Sequence, residues 1–146
     1  AYPMWYNKNT ILCVTIIGKG LDLIVHDRKT RSNKSIQKKV GRSLHAIPNS
    51  NLISYISKEN TQWEIRSLNP KTGVTKKIVN TIDQREDICW LPDGTLLAAN
   101  KNVIFKYNPT TDNKWAVFHT FPKAAFKNIS RILVNKKGTK LLLVSE

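Results

Sequence analysis

The amino-acid sequence predicts an all-β protein built from repeated four-stranded antiparallel units. Hairpin turns recur along the chain, and the first apolar residues after them lie 41, 44 and 45 residues apart: Ile11, Leu52, Leu96 and Leu141. A second turn marker recurs with spacings of 42 and 39 residues: Asp27, Asn69 and Asn108. No segment has a convincing helical periodicity. Two turn markers that share one period of about 40 residues are typical of the blades of a β-propeller.

The clearest hairpin turn is Pro92-Asp93-Gly94, which joins two short apolar runs. Proline sets φ for a turn, aspartate bonds the nearby backbone, and glycine accepts a positive φ without steric cost. A turn of this kind between two apolar runs predicts a β-hairpin. In the last unit Lys136-Lys137-Gly138 stands at the same place, so the turn is kept without its proline.

The chain is predicted to be one partial propeller domain, residues 1–146, with about three and a half blades at roughly 1–41, 42–83, 84–121 and 122–146. The predicted strands of the first unit are Tyr2–Tyr6, Ile11–Ile17, Leu21–His26 and Ser35–Val40. Those of the second are Ser43–Ile47, Leu52–Ser57, Trp63–Leu68 and Thr75–Val79. The third has Asp87–Leu91, Leu96–Ala99, Val103–Tyr107 and Trp115–His119, and the fourth has only Ile129–Val134 and Leu141–Val144.

The chain is strongly basic, with 24 Lys and Arg residues against 10 Asp and Glu, a formal net charge of +14. Such a charge is compatible with nucleic acid or another polyanion as a partner. The basic residues are scattered and lie near the predicted turns, where lysine keeps exposed strand edges soluble. The solubilising interpretation is therefore favoured, and polyanion binding remains an alternative.

No segment is expected to cross a membrane, since the longest apolar run, Ile11–Ile17, is far shorter than the ~18 residues required. No signal peptide is visible in the chain. Cys13 and Cys89 lie in predicted strands among apolar residues, which favours small buried side chains, while a disulfide between them stays open.

No catalytic residue, metal site or cofactor is predicted. The three histidines, His26, His45 and His119, have no metal-ligand spacing. The chain has no Gly-x-Ser-x-Gly segment and no glycine-rich phosphate loop. The tryptophans of the inner and middle strands, Trp63 and Trp90, are expected in the core, whereas Trp115 is expected to be partly exposed.

Several segments resemble the TolB-type, PD40-style propellers of bacteria, and in particular an uncharacterised group of TolB-like proteins, many of them exported. These segments are Trp90–Gly94, Ile104–Pro109, Gly41–Pro48, Arg66–Thr72 and Asn128–Arg131. The resemblance covers nearly the whole chain. It implies the C-terminal half of a propeller of about six blades, completed by upstream blades or by a second copy. It also implies a periplasmic or otherwise extracytoplasmic location.

The resemblance further implies that a ligand or partner binds at the mouth of the central channel, where the innermost strands begin. Aligning the units on their turns places eight residues there: Arg42, Ser43, His45, Arg85, Glu86, Asp87, Ser130 and Arg131. The arginines could hold a carboxylate, a phosphate or an extended peptide. Alternatively, the arginines and carboxylates pair with one another and hold adjacent blades in register.

The predicted function is therefore non-enzymatic binding or scaffolding of a protein or peptide, by loops and strand ends on a rigid framework. Two alternatives remain open. One is a propeller domain that gates a hydrolase, similar to those of the prolyl-oligopeptidase type. The other is a basic propeller that binds a polyanion.

Overall fold

The computed structural model describes residues 2–146, so Ala1, the first residue of the predicted domain, lies outside the described part. The described chain contains fourteen strands and no helix. The strands are β1 Tyr2–Trp5, β2 Thr10–Ile17, β3 Gly20–Asp27, β4 Ser32–Gln37, β5 Val40–Ala46, β6 Ile53–Ser57, β7 Glu64–Leu68, β8 Thr75–Asn80, β9 Ile88–Trp90, β10 Leu96–Asn100, β11 Val103–Tyr107, β12 Ala116–Thr120, β13 Ile129–Val134 and β14 Leu141–Ser145. This confirms the all-β prediction.

The strands form antiparallel sheets in which sequence neighbours pair side by side. Their orders are β1-β2-β3-β4, β5-β6-β7-β8 and β9-β10-β11-β12, followed by the two-stranded sheet β13-β14. Up-and-down sheets of four strands are the blades that the repeat predicts. The chain divides into two compact units, each larger than one of the repeats, and from here on 'first unit' and 'second unit' mean these two. The first holds β1 to β8, and the second holds β9 to β14 with the turn Ile47–Ser50.

Each unit has an apolar core. In the first unit the core joins the sheet that begins with β1 to the sheet that begins with β5, and it contains Leu12, Val14, Leu23, Val25, Val40, Ile53, Tyr55 and Leu68. In the second it contains Cys89, Leu97, Ala99, Ile104, Ile129 and Ile132. All of β6 and the first four residues of β10 are buried, as expected of strands that are covered on both faces.

The turn marker that recurs at Asp27, Asn69 and Asn108 is a hydrogen-bonded turn after the third strand of each blade. Asp27 Oδ1 accepts the backbone N–H groups of Lys29 and Thr30 at 2.8 and 3.0 Å. Asn69 and Asn108 use their side-chain oxygens in the same way. The two backbone hydrogen bonds to Asp27, chiefly that from Thr30, lower the pKa of its carboxyl group. Asp or Asn therefore recurs at this position because its short side chain accepts the backbone N–H groups of the turn.

Two predictions about the part of the chain from β4 to β7 are wrong in detail. The predicted outer strand reached Val40, but β4 ends at Gln37, and Val40 instead begins β5, where it is 2% exposed. Lys39 breaks the strand because its φ is +53°, in the left-handed region. Trp63 was expected in a strand and in the core; it precedes β7 and is half-buried.

The other aromatic predictions agree with the structure. Trp90 is 7% exposed in β9. Trp115 lies just before β12, is half-buried and packs on the Tyr107 ring at a centroid distance of 5.6 Å. Cys13 and Cys89 are both free thiols, half-buried and buried respectively. No helix in residues 2–146 is long and apolar enough to span a membrane.

Candidate functional site

Seven of the eight residues predicted at the channel mouth lie near the start of the strand that contains or follows them, whereas His45 is the last residue but one of β5. In the first unit, β5 carries Arg42, Ser43 and His45. In the second unit, Arg85, Glu86 and Asp87 immediately precede β9, and β13 carries Ser130 and Arg131.

In the first unit the start of β5 is irregular. Val40 pairs with Ser57 and Leu44 pairs with Tyr55, so β5 advances four residues while β6 advances two. Arg42 and Ser43 therefore lie in a bulge, which redirects side chains relative to a regular strand. Ser43 is only 7% exposed, whereas Arg42 and His45 are half-buried.

In the second unit a tight turn before β9 positions Arg85. Asp83 and Gln84 have left-handed φ values of +43° and +55°, and the Arg85 N–H donates to the Ile82 carbonyl at 2.8 Å. Non-glycine residues in this region are uncommon and recur in turns and functional sites. The turn fixes the backbone from which the Arg85 side chain leaves.

Two asparagines hold the Arg85 guanidinium. Its Nε donates to Asn100 Oδ1 at 3.3 Å, and its Nη2 donates to Asn128 Oδ1 at 3.0 Å. Asn100 in turn donates through Nδ2 to Asp83 Oδ2 at 2.5 Å, which orients the amide. Both hydrogen-bond partners of the half-buried guanidinium are neutral side-chain amides, so its orientation is fixed by groups that do not neutralise its charge.

Asp87 and Arg131 form an ion pair between the segment before β9 and strand β13. Arg131 Nη1 lies 3.1 Å from Asp87 Oδ1, with side-chain exposures of 48% and 21%. This pair has the geometry of the second interpretation, in which the charges hold neighbouring blades in register. Ser130 Oγ donates to the Val144 carbonyl of the paired strand at 3.4 Å, and Glu86 is half-buried.

Three residues of the network around Arg85 were not predicted from the sequence: Asp83, Asn100 and Asn128. Asn100 was not singled out, and Asn128 was noted only as the first residue of one of the segments that carry the family resemblance. Their contacts join residues 15 and 43 positions apart. A single sequence contains no signal for pairings at such distances.

A second polar cluster, in the first unit, is satisfied by its own members. It borders a cavity of about 500 Å³. Burial raises the pKa of Glu64, but hydrogen bonds from Arg66, at 2.7 Å, and from Lys77 outweigh it, and the pKa is lowered. The Tyr55 hydroxyl donates to Gln37 Oε1 at 2.6 Å. The Tyr55–Gln37 bond connects β6 to β4, and this contact favours a role of the cluster in joining β4 to the next blade.

The histidines and acids of residues 2–146 form no group of three that could hold a metal ion. His26 Nδ1 lies 2.7 Å from Asn33 Oδ1 across the pair of β3 and β4, and the His119 ring packs edge-on against Phe121. These contacts hold the His26 and His119 rings against nearby residues of the chain.

No known protein-family model matches the chain, and no curated protein matches its sequence. Solved structures do match. The crystal structure of TolB from Acinetobacter baumannii superposes with a TM-score of 0.65 at 18% identity, over 100% of this chain and 37% of that chain. The crystal structure of the tricorn protease gives a TM-score of 0.55 at 16% identity, over 93% of this chain and 14% of that chain.

The chain thus spans little more than a third of the length of the TolB chain that it matches. At these identities the likeness concerns the fold, and it agrees with the antiparallel four-stranded sheets described above. The chain has the fold of part of a TolB-like β-propeller.

Proposed function

We propose that this chain is the part of a β-propeller that binds a protein or peptide partner, without catalysis, at the ends of its innermost strands. The observation that carries the proposal is Arg85, a guanidinium held in place by the neutral amides of Asn100 and Asn128. A positioned arginine that keeps its charge is suited to bind a carboxylate through two parallel hydrogen bonds. Peptides carry such carboxylate groups at their C-terminal ends and on their Asp and Glu side chains.

A second arginine, Arg131, and the sheets that carry it support the same role. Arg131, at 48% side-chain exposure, is paired with Asp87 by one nitrogen and presents the remaining donors of its guanidinium for a partner. Loops and strand ends on a rigid sheet framework are the usual positions of binding residues. The likeness in fold to TolB supports a location outside the cytoplasm, in the bacterial cell envelope, as part of this proposal.

A second candidate function comes from the likeness to the tricorn protease. In that case the chain would be a propeller domain of a larger hydrolase, and its inner strand ends would meet substrate on the way to a separate catalytic domain. The complete reading frame discriminates between the two, because a hydrolase would add a catalytic segment such as Gly-x-Ser-x-Gly.

The proposal is tested by photo-crosslinking in the cells that produce the protein. A photo-reactive amino acid replaces Ser130, and the same residue at the exposed position Lys106 serves as the control. We expect a discrete protein adduct from position 130 that is absent from position 106, and a several-fold lower yield after Arg85→Ala. Partner binding at this site is excluded if position 130 gives no adduct above the control or if Arg85→Ala leaves the yield unchanged.

A further inference from the structure

The first unit contains a cavity that the predicted site does not include. Its volume is about 560 Å³, and it opens between three connections: the turn from β2 to β3, the link from β4 to β5 and the loop from β6 to β7. Because successive strands of the first unit run in opposite directions, these three connections lie at one end of their sheets. Residues of two blades therefore form its wall.

Lysines surround the opening. Lys19, Lys39 and Lys58 all line the cavity, and none of its lining residues in the described chain is acidic. The position of Lys39 is fixed, since its φ is +53° and its backbone N–H donates to the buried Asp22 carboxylate at 3.4 Å. Three ammonium groups around one concave surface attract an anion.

The interior of the cavity is apolar and aromatic. Ile16, Leu21 and Val40 line it together with Trp63. The Lys58 Nζ atom lies 4.2 Å from the centroid of the Trp63 ring, which holds the indole and the ammonium together. Ile16 is 71% exposed, an unusual degree for a large aliphatic side chain in a strand. An apolar floor with a cationic rim fits a ligand that has both an apolar group and negative charge.

We infer that this cavity binds an acidic peptide segment, with an aromatic or large aliphatic side chain against Trp63 and Ile16 and with carboxylates against Lys19, Lys39 and Lys58. The inference goes beyond the proposed function, because none of the residues that line the cavity belongs to the strand-end site at Arg85. A peptide is favoured over nucleic acid because the floor offers several aliphatic contacts and only one aromatic ring on which a base could stack.

Fluorescence anisotropy with the purified protein tests the inference. The probe is a labelled twelve-residue peptide that contains Asp and Glu with one Phe and one Leu. The comparison peptides replace its acids by Asn and Gln, or its Phe and Leu by Ser, and a single-stranded oligodeoxythymidine serves as the nucleic-acid probe. We expect measurable binding of the first peptide and binding at least about tenfold weaker of the two altered peptides.

Matched variants locate the binding. Lys19→Gln with Lys39→Gln is expected to weaken binding about tenfold, whereas Lys106→Gln with Lys114→Gln, which removes the same charge from exposed positions elsewhere, should change it less than about twofold. Trp63→Ala should weaken binding by roughly thirtyfold and Trp63→Phe should restore most of it. Thermal unfolding of each variant establishes that it is folded.

Several results would overturn the inference. One is an equal effect of the two double-lysine variants, since binding would then follow net charge alone. Others are tighter binding of the oligonucleotide than of the peptide, or no binding of the acidic apolar peptide at all. Arg85→Ala separates the inference from the proposed function: if it abolishes peptide binding while the cavity variants do not, the strand-end site stands and the cavity is not the peptide site.

Discussion

Cys89 is the titratable side chain most strongly affected by the fold. It is 1% exposed in the core of the second unit. Burial raises its pKa from 9.0 to about 12, because the thiolate loses its hydration, and a hydrogen bond from the Val134 backbone offsets only part of this effect. A thiol of this kind is expected to be inert in the folded protein.

We predict that iodoacetamide at pH 8 labels Cys13, which is half-buried, faster than Cys89, and that Cys89 reacts only when the protein unfolds. Peptide mapping by mass spectrometry measures the two rates. Equal labelling of both thiols in the folded protein would contradict the burial of Cys89.

The same shift has a consequence for stability. Below about pH 9 the thiol is protonated in both states, so its contribution is fully present; between about 9 and 12 only the unfolded state loses the proton, and stability falls by roughly 1.4 kcal/mol for each pH unit. Cys89→Ala should therefore show a shallower decrease of unfolding free energy over this interval than the parent protein, as measured by urea unfolding.

At the scale of the element, the recurring hairpin turns of the second unit touch one another. Asn49 Nδ2 donates to the Pro92 carbonyl at 3.3 Å, which links two turns 43 residues apart. A β-carbon added to Gly138 would lie 2.7 Å from Pro92 Cδ. The turns thus form contacts between successive repeats in addition to reversing the chain.

This contact predicts a difference between two glycines of equivalent turns. Gly94 has a φ of +88° with no heavy atom within 4 Å of an added β-carbon, so Gly94→Ala should cost only about 1–2 kcal/mol of left-handed strain. Gly138 has a φ of +70° and also faces the stiff Pro92 ring, so Gly138→Ala should cost roughly 1–3 kcal/mol more.

Urea unfolding of the two variants measures this difference. The control is Gly138→Ala in a Pro92→Ala background, where the ring is absent and the additional cost should decrease. Equal losses for Gly94→Ala and Gly138→Ala would mean that the contact with Pro92 has no energetic effect.

The elements were largely predictable because their signals are local. Turn residues such as Asp27 and Asn69 bond to backbone groups two or three positions away, and strand periodicity extends over a few residues. Val40 was misassigned because the left-handed backbone of Lys39 separates it from β4. A lysine in the sequence does not indicate a left-handed backbone. Trp63 was misassigned because an apolar side chain is compatible with both a core and the wall of an open cavity.

The candidate site was less predictable than the fold. The starts of β9 and β13 were predicted to within one residue, but β5 begins at Val40, before the predicted start at Ser43. The structure brings Asp87 and Arg131 to 3.1 Å. Arg85, however, depends on Asn100 and Asn128, whose amides lie far from it in sequence. The cavity at Trp63 requires three connections to meet, which only the pairing of the sheets establishes.

At the scale of the whole molecule, the last sheet differs from the others, since β14 pairs with β13 only, whereas the other sheets have four strands. Three of its apolar side chains are largely exposed: Leu133 by 52%, Leu142 by 65% and Val144 by 47%. An exposed apolar edge strand invites pairing or aggregation, and proteins ordinarily protect such edges. We therefore expect the outward edge of β14 to pair with another strand, from a further part of the protein or from a second copy.

Hydrogen exchange of the intact protein measures this pairing. Alternate backbone amides of an antiparallel edge strand point away from its partner, so those of Leu141–Ser145 exchange quickly unless another strand covers them. We expect them to be protected, in contrast to the outward amides of β12, an outer strand whose five residues are all exposed. Protection that increases with protein concentration would identify a second copy, and protection independent of concentration would identify a strand of the same molecule. Exchange as fast as that of β12 would show that the edge is open, and the expected completion of the sheet would then be wrong.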